Sequence, residues 1–509
     1  MQPIDVKRST VILDPDRTHV LARPFRLMSD QRSTKISARI MALPESEVQI
    51  LLAEVRAEFG DRQVKIDDFL RRRFDEVSPY LLNGQKLSED RKLLMGGYFT
   101  HEYSLEAAAL FNPSMVPHPD QSNVPPGSLR FILSLRATAE GHVSSIAFRS
   151  GMLDADSNIT MDVPSRYSLE PMQVPNSTFE KPLFARKLNE LHLLGDFNRE
   201  VLSALPDAFT MEELSASIAR TVSHPLDGAH ETTKTVARET LMLASSNYEV
   251  QFAPESALSE RVLFPVTPSQ SNGIEDARFV LFHKDDGTST YYATYTAYDG
   301  RMILPQFLET SDFLRFKFIT LNGPAVENKG MALFPRKVGG LYAMLGRQDA
   351  ENIYVMFSDN FHFWDTMQLI LEPAFPWEFI QLGNCGSPIE TEAGWLVISH
   401  GVGPMRKYCI GAFLLDLADP TKVIGRLPEP LIKPNANERD GYVPNVVYSC
   451  GSLVHGKQLV IPYGISDYAT TFATIPLEQV LAAMESVPGH HGHESHSKGE
   501  DKWQPVPQL

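Results

Sequence analysis

A mainly β chain, built from repeated antiparallel hairpins and interrupted by two helical additions, is what this sequence predicts. Three observations carry that expectation. After Pro113, short runs of Tyr, Val, Ile, Phe and Thr alternate with polar residues, the period-two pattern of strands with one buried face. Turns at Asp286-Gly287, Gly339-Gly340, Ala393-Gly394 and His455-Gly456 adjoin such runs at nearly regular intervals. An earlier turn, Glu140-Gly141, separates Phe131–Arg136 from Val143–Phe148. Finally, apolar residues return at helical spacing in two segments only. A repeat that long, holding several strands in each period, reads as a five-bladed β-propeller with an N-terminal helical region and a helical insertion. A β-sandwich would show strand signals every 8–12 residues or so without the longer period.

Taken in order, residues 1–110 form the N-terminal helical region. Val48, Leu51, Leu52, Val55 and Phe59 share one helical face, as do Ile66, Phe69, Leu70, Phe74 and Val77. Helix is expected through residues 45–112, with Ser88 capping a third helix that would contain His101-Glu102. That pair lacks the second histidine of a zinc-protease motif, because Leu105 stands there. Residues 111–485 are expected to form the propeller. Within it residues 181–250 are read as a helical insertion. Its first stripe is Phe184, Leu188, Leu191, Leu194, Phe197, Val201 and Leu202; Val236, Leu241 and Leu243 suggest a second. The tail, residues 486–509, carries His490, His491, His493 and His496 among Gly, Ser and Glu and is expected to be disordered.

Composition narrows the function classes. The 509 residues carry a formal net charge of −16, which argues against nucleic acid and anionic membranes as partners. No apolar run is long enough for a membrane span, and Met1 to Leu21 lack the apolar centre of a secretory signal. Cys385, Cys409 and Cys450 are an odd count without C-x-x-C spacing, so free buried thiols in a cytoplasmic protein are expected, with no metal site. Apolar stripes on the helical additions suit self-association into a homo-oligomer.

The chemistry concentrates at strand ends and turns. Gly273-Ile274-Glu275-Asp276-Ala277-Arg278 sets two carboxylates and an arginine beside a tyrosine-rich strand that ends in Tyr298-Asp299. Carboxylates move protons, arginine holds anions, and aromatic faces stack on sugar rings. Each hairpin unit then adds polar residues that a propeller would aim at its central channel. The first adds Arg136, Ser144, Ser145 and Arg149, the second Asp276, Arg278 and Arg301, the third Lys329 and Arg347. Glu390, His400 and Tyr408 follow in the fourth, and Asp467 in the fifth. Any one of these alone is an ordinary surface or strand-end residue. Several cations at equivalent positions in a net-acidic chain point to an anion pocket, and no nucleotide-binding glycine loop or G-x-S-x-G elbow is present.

These residues carry a resemblance. The chain is similar to glycoside hydrolase family 130, the β-mannoside phosphorylases, in the Gly273–Arg278 segment, Tyr295-Thr296-Ala297-Tyr298-Asp299-Gly300, Asn328-Lys329 to Arg347, Ser387–Glu392 with Gly394-Trp395 and His400-Gly401, and Gly441–Val447. Phe111-Asn112-Pro113 and Leu135-Arg136 resemble the family's first blade. The resemblance implies a five-bladed propeller that cleaves a β-mannoside with inorganic phosphate, with inversion, to α-mannose 1-phosphate. Asp276 would be the general acid, acting through a sugar hydroxyl, with Glu275 and Arg278 holding it in place. Arg301, Lys329 and His400, with Arg136, Arg149 or Arg347, would bind phosphate. Tyr298 and Asp299 would line the mannose subsite, and Arg136, Ser145, Glu390 and Asp467 are further candidates for the substrate. The expected partners are a small mannoside and phosphate, the latter as co-substrate, with no cofactor. Two other readings remain at this point. One is a mannoside hydrolase of the same family, with Glu390 or Asp467 activating water; the other is a carbohydrate-binding propeller without turnover. The sequence departs from the family pattern in its E-D-A-R alanine, in Gly330-Met331 and in Arg336, which bear on the acceptor side.

Overall fold

The computed structural model describes residues 4–25, 27, 29–80, 86–175, 178–223, 230–300 and 303–486. The histidine-rich tail and Arg301 lie outside the described residues. Among those described, most strands fall into five successive antiparallel units of sequence-adjacent strands, the first two joined into one sheet by a parallel pairing of Gly273 with Ser144. The first runs Ala109–Pro117, Leu129–Thr138, Ser144–Leu153 and Ile159–Met161. The second runs Gly273–His283, Ser289–Tyr298, Ile303–Thr310 and Arg315–Thr320. The third comprises Ala332–Leu333, Tyr342–Gly346, Ile353–Ser358 and Thr366–Leu371. In the fourth, Gln381–Asn384 and Ile389–Thr391 both pair with Gly394–Gly403, followed by Lys407–Leu415 and Val423–Arg426. The fifth joins Val447–Tyr448 and Leu453–His455 to Gln458–Ile465 and Ala469–Pro476. Its outer strand is Lys7–Arg8, from the other end of the chain. The protein is mainly β with helical additions.

Each unit buries its faces against its neighbours. Phe148 and Ile146 of the first meet Phe279, Tyr291 and Tyr295 of the second. Phe307 and Tyr292 of the second meet Met344 and Met356 of the third. Phe334 and Val355 of the third meet Trp395 and Phe413 of the fourth. Ile398 and Ile410 of the fourth meet Ile461 and Ile475 of the fifth, and Val460 and Phe472 of the fifth return to Phe131 and Leu133 of the first. The inner segments touch in the same cyclic order. Ser114 Oγ accepts from Phe279 N at 3.0 Å, and Arg278 donates to Gly330 O at 3.1 Å. Asn384 Nδ2 reaches Gly330 O at 2.7 Å, and Cys450 N reaches Pro113 O at 2.8 Å. Between the fourth and fifth units the backbones come so close that a Cβ on Gly386 would lie 2.3 Å from Cys450 O; its φ of +111° also demands glycine.

The turn at Gly287 joins the first two strands of the second unit, and those at Gly340, Gly394 and Gly456 occupy the same place in the third, fourth and fifth units. Gly141 does not: it joins the second and third strands of the first unit. The equivalent first turn there is the longer 118–128 connection, whose polar and proline-rich sequence hides it from a hairpin search.

The additions are helical, with one revision. Helices Asp30–Met41, Glu45–Phe59, Ile66–Val77 and Glu89–Tyr98 pack around Val48, Phe74, Leu94 and Met95, and Ser88 Oγ caps the last by accepting from Arg91 N at 3.2 Å. Helix does not extend to residue 112. His101 and Glu102 lie in strand Thr100–Ser104, which pairs with Val20–Pro24; alternating polar residues with Thr100 and Tyr103 favour an extended chain there. The insertion consists of Lys181–Glu190, Asp196–Ser203, Met211–Ser223 and His230–Ser245. Its first apolar stripe is broken rather than continuous: Phe184, Leu188, Val201 and Leu202 share a core, whereas Leu191 sits in the connection at 40% exposure. Among the described residues no helix is long and apolar enough to cross a membrane.

Candidate active site

Asp276 owes its position to a bulge. Glu275 pairs with Thr296 and Arg278 with Thr294, so Asp276 and Ala277 together oppose one residue. Asp276 takes φ = +54°, a left-handed conformation that costs a non-glycine residue about 1 kcal/mol but that aspartate tolerates better than most. In a regular strand, neighbours 275 and 276 would point to opposite faces. The bulge instead turns both toward Arg136, whose Nη2 lies 2.7 Å from Glu275 Oε1 and whose Nη1 lies 3.5 Å from Asp276 Oδ1. The first unit repeats the device. A register shift between Phe111 and Ser114 puts Asn112 at φ = +50°, and its amide donates to Asp276 Oδ1 at 2.7 Å.

Arg136 is fixed in turn by donating Nε–H to Ser144 Oγ at 2.8 Å and by lying over the Phe111 ring, 5.2 Å from its centroid. Burial alone would raise the Asp276 pKa. Arg136, then Lys329, the Asn112 hydrogen bond and Arg278 outweigh it and hold the carboxyl below its usual range. Asp276 is therefore a carboxylate in the free protein at neutral pH.

A cationic floor lies beside it. Lys329 Nζ stands 3.9 Å from Glu275 Oε2. Arg278 is buried and donates to Gly330 O, to the side chain and carbonyl of Asn384, and to Tyr448 Oη at 2.6 Å. Its guanidinium thus ties the second unit to the third, fourth and fifth. Arg347 is different. It is 8% exposed and makes no ion pair among the described residues; its Nε has no hydrogen-bond partner, and its Nη1 donates to His400 Nε2 at 3.3 Å. His400 is buried between Tyr408 and Tyr448. Burial, then Arg347 and Arg278, hold its pKa well below the ordinary value. It is a neutral imidazole with Nε2 as acceptor, so it is not one of the pocket's cations.

Asp467 completes the pocket on the fifth unit, at φ = +49°. Burial raises its pKa against Arg136, and with Asp276 also raising it the value reaches about 7. A raised pKa contributes stability that is complete below the unfolded value of about 4 and is lost as the pH rises through 7. Asp467→Asn is therefore expected to leave stability unchanged near pH 4 and to increase it by a few kcal/mol above pH 7. Urea unfolding at the two pH values checks this; an equal effect at both would show that burial does not hold the proton there.

The remaining candidates are placed as follows. Tyr298 ends its strand opposite Gly273, with Asp299 next to it, at the same end of the sheet as Asp276. Ser145 is buried with its hydroxyl unpartnered, and the adjacent Ser144 makes the contact to Arg136 instead. Arg149 is not in this cluster: it donates to Glu106 Oε1 at 2.6 Å and to Phe148 O at 2.9 Å, beside His19. Glu390 is half exposed and held by Arg336, which donates Nε–H to it at 2.8 Å. That ion pair lies over the Trp395 ring and takes Glu390 away from the Asp276 cluster. Three contributors were not singled out as site residues from the sequence: Asn112, Asn384 and Tyr448. Only Asn112 left a signal, as an Asn-Pro dipeptide, a composition that favours a kink. All three cysteines are free and buried; burial pushes the Cys385 thiol up to about 12, which leaves it inert.

With this geometry in view, comparisons with known proteins are specific. The profile of glycoside hydrolase family 130, described as β-1,4-mannooligosaccharide phosphorylase, matches residues 231–486, half of the chain. A 1,2-β-oligomannan phosphorylase of Thermoanaerobacter sp. (strain X514) is 36% identical over 231 residues, which is 44% of this chain and 75% of that protein. A β-1,2-mannobiose phosphorylase of Listeria innocua serovar 6a is 30% identical over 230 residues, 44% of this chain and 63% of that protein. Among solved structures, the β-1,2-mannobiose phosphorylase from Listeria innocua with β-1,2-mannobiose aligns at a TM-score of 0.44 and 20% identity, over 75% of this chain and 92% of that one. The matched half contains Asp276, Arg278, Lys329, Arg347, His400 and Asp467, and on that match the chain belongs to glycoside hydrolase family 130.

Proposed function

We propose that this protein is an inverting phosphorylase that cleaves a β-mannoside with inorganic phosphate to give α-mannose 1-phosphate. One observation carries the phosphate: Arg347 is a buried guanidinium without a carboxylate, its Nε unpaired, and leaving such a cation uncompensated is expensive unless an anion joins it. Lys329 and Arg278 add to the same positive field, and arginine's fork suits phosphate oxygens. The names of the two relatives favour a β-1,2 linkage.

In the proposed reaction a phosphate oxygen attacks the anomeric carbon from the cation side and the bond to the leaving sugar breaks. Protonated Asp276 supplies the proton, relayed through a mannose hydroxyl, and the proton of the attacking hydrogen phosphate restores it. The free carboxyl is ionised, so the negative charge of bound phosphate has to raise its pKa before it can act. Asp467, protonated up to about 7, is a neighbouring hydrogen-bond donor for the sugar. Preorganised cations stabilise the developing charge, and no group beyond phosphate is required. The scaffold is proposed to be a five-bladed propeller, supported by the cyclic order of the five cores. Free buried thiols support a reducing, cytoplasmic setting.

The test is incubation with β-1,2- and β-1,4-mannobiose and mannosylglucose, with and without phosphate. Mannose 1-phosphate formed only with phosphate is expected. Free mannose without phosphate would make the protein a hydrolase, and no product from any mannoside would leave a binding protein.

A further inference from the structure

The N-terminal addition holds a turn of the first unit that leads directly into Ser144, the residue that fixes Arg136. Turn 139–143 of the first unit carries two left-handed residues, Gly141 at φ = +69° and His142 at φ = +63°. Tyr103, from the Thr100–Ser104 strand of the addition, donates its hydroxyl to Glu140 O at 2.7 Å. The same tyrosine packs edge-on against Phe264, 5.4 Å between centroids, in a small core with Leu21, Leu105 and Val143. The addition therefore grips this turn from outside.

On its other side the turn projects His142 to Tyr442, in the loop that precedes the inner strand of the fifth unit. Tyr442 Oη and His142 Nδ1 lie 2.7 Å apart, and the two rings are 5.7 Å apart at 33°. Both residues are exposed, Tyr442 at 47%. Each is tethered to the site. Ser144, two residues beyond His142, accepts from Arg136. Val443 N, next to Tyr442, donates to Ser466 O at 2.9 Å, beside Asp467. A tilted pair of aromatic rings thus joins the first unit to the fifth, with His142 two residues from the serine that holds Arg136 and Tyr442 next to the residue bonded beside Asp467.

We infer that Tyr442 and His142 form the platform for the leaving sugar, and that the N-terminal addition sets the selectivity for that sugar by holding His142 in place. This rests on the phosphorylase reading. An exposed aromatic pair offers a flat apolar face to the C–H side of a hexopyranose, while His142 Nε2 and the tyrosine hydroxyl remain at its edges for sugar hydroxyls. Tyr103 is a positioning residue: it acts on the sugar only through the turn.

The experiment runs the reaction in the synthetic direction, from mannose 1-phosphate and a mannose or mannobiose acceptor. Tyr442→Ala and His142→Ala are each expected to raise the acceptor KM about tenfold while the KM for mannose 1-phosphate stays within about twofold. Tyr442→Phe keeps the ring and should raise it only about threefold; Tyr103→Phe should do the same from a distance, with kcat retained. An unchanged acceptor KM in Tyr442→Ala, or both KM values rising together, overturns the inference. Calorimetric titration of the full chain with β-1,2-mannobiose separates it from the phosphorylase reading. If the wild type turns nothing over, weaker mannobiose binding by Tyr442→Ala still supports the platform, and equal binding overturns it.

Discussion

Asp276→Asn is expected to lower the rate of phosphorolysis about a thousandfold, the middle of the range for losing a positioned general acid. Asparagine fills the same space, can accept the Asn112 hydrogen bond and tolerates the left-handed backbone, so the bulge should survive. What disappears is the transferable proton. Glu275→Gln should be much milder, because Glu275 serves to hold Arg136 and Lys329. Comparing kcat for the two variants decides the assignment; a larger loss for Glu275→Gln would exchange their roles. Stability adds a separate check. The folded pKa of Asp276 is depressed, so its carboxylate stabilises the protein above the unfolded value of about 4, and that contribution is lost as the pH falls through the folded value. Asp276→Asn should therefore lower stability at pH 7 and not at the acid end.

Arg278→Met is expected to give the largest stability loss, about 3 kcal/mol or more. Methionine replaces the volume, but Gly330 O, the Asn384 side chain and carbonyl, and Tyr448 Oη all lose a donor in a buried place. Those acceptors belong to three units, so the loss falls on the seams among the second, third, fourth and fifth units rather than on one sheet. Arg278→Lys should recover part of it, because an ammonium keeps the charge but cannot reproduce the planar fork. Urea midpoints for the two variants test this. Equal midpoints would mean that charge alone matters, and a wild-type midpoint for methionine would mean that the staple carries no load.

Much of this architecture was readable because its signals are local. Period-two strands and four of the five turns follow from neighbouring residues, and so does the cap at Ser88. The failures share a different cause. The Ser88 cap and apolar spacing predict helix past residue 98, but pairing with Val20–Pro24, more than 70 residues upstream, draws that segment into a strand. At the site, Asp276, Arg136, Lys329 and Asp467 were named from residue type and resemblance, and they do converge. Arg149 and Glu390 carry the same chemistry but are consumed by Glu106 and Arg336, partners no spacing rule connects. Residue type points to Ser145 as readily as to Ser144, but strand alternation lets only one of them face Arg136, and the phase depends on register. Above all, the convergence of residues 275 and 276 on one arginine requires a bulge, which is a property of pairing with another strand.

Strand Lys7–Arg8 gives the molecule an unusual timetable. Lys7 pairs with Thr474 and Arg8 with Ala473, and Arg8 also binds Glu438 at 3.0 Å and Lys433 O at 2.8 Å. At roughly 5–20 residues per second of synthesis, on the order of a minute separates the emergence of these partners from the ribosome. Throughout that interval the earliest strand waits unpaired. Once Gln458–Ile465 and Ala469–Pro476 appear, they expose a bare edge until it arrives. Until that edge is covered it is an adhesive surface on the nascent chain, and a holding chaperone or removal of Lys7–Arg8 should decide how much soluble protein accumulates.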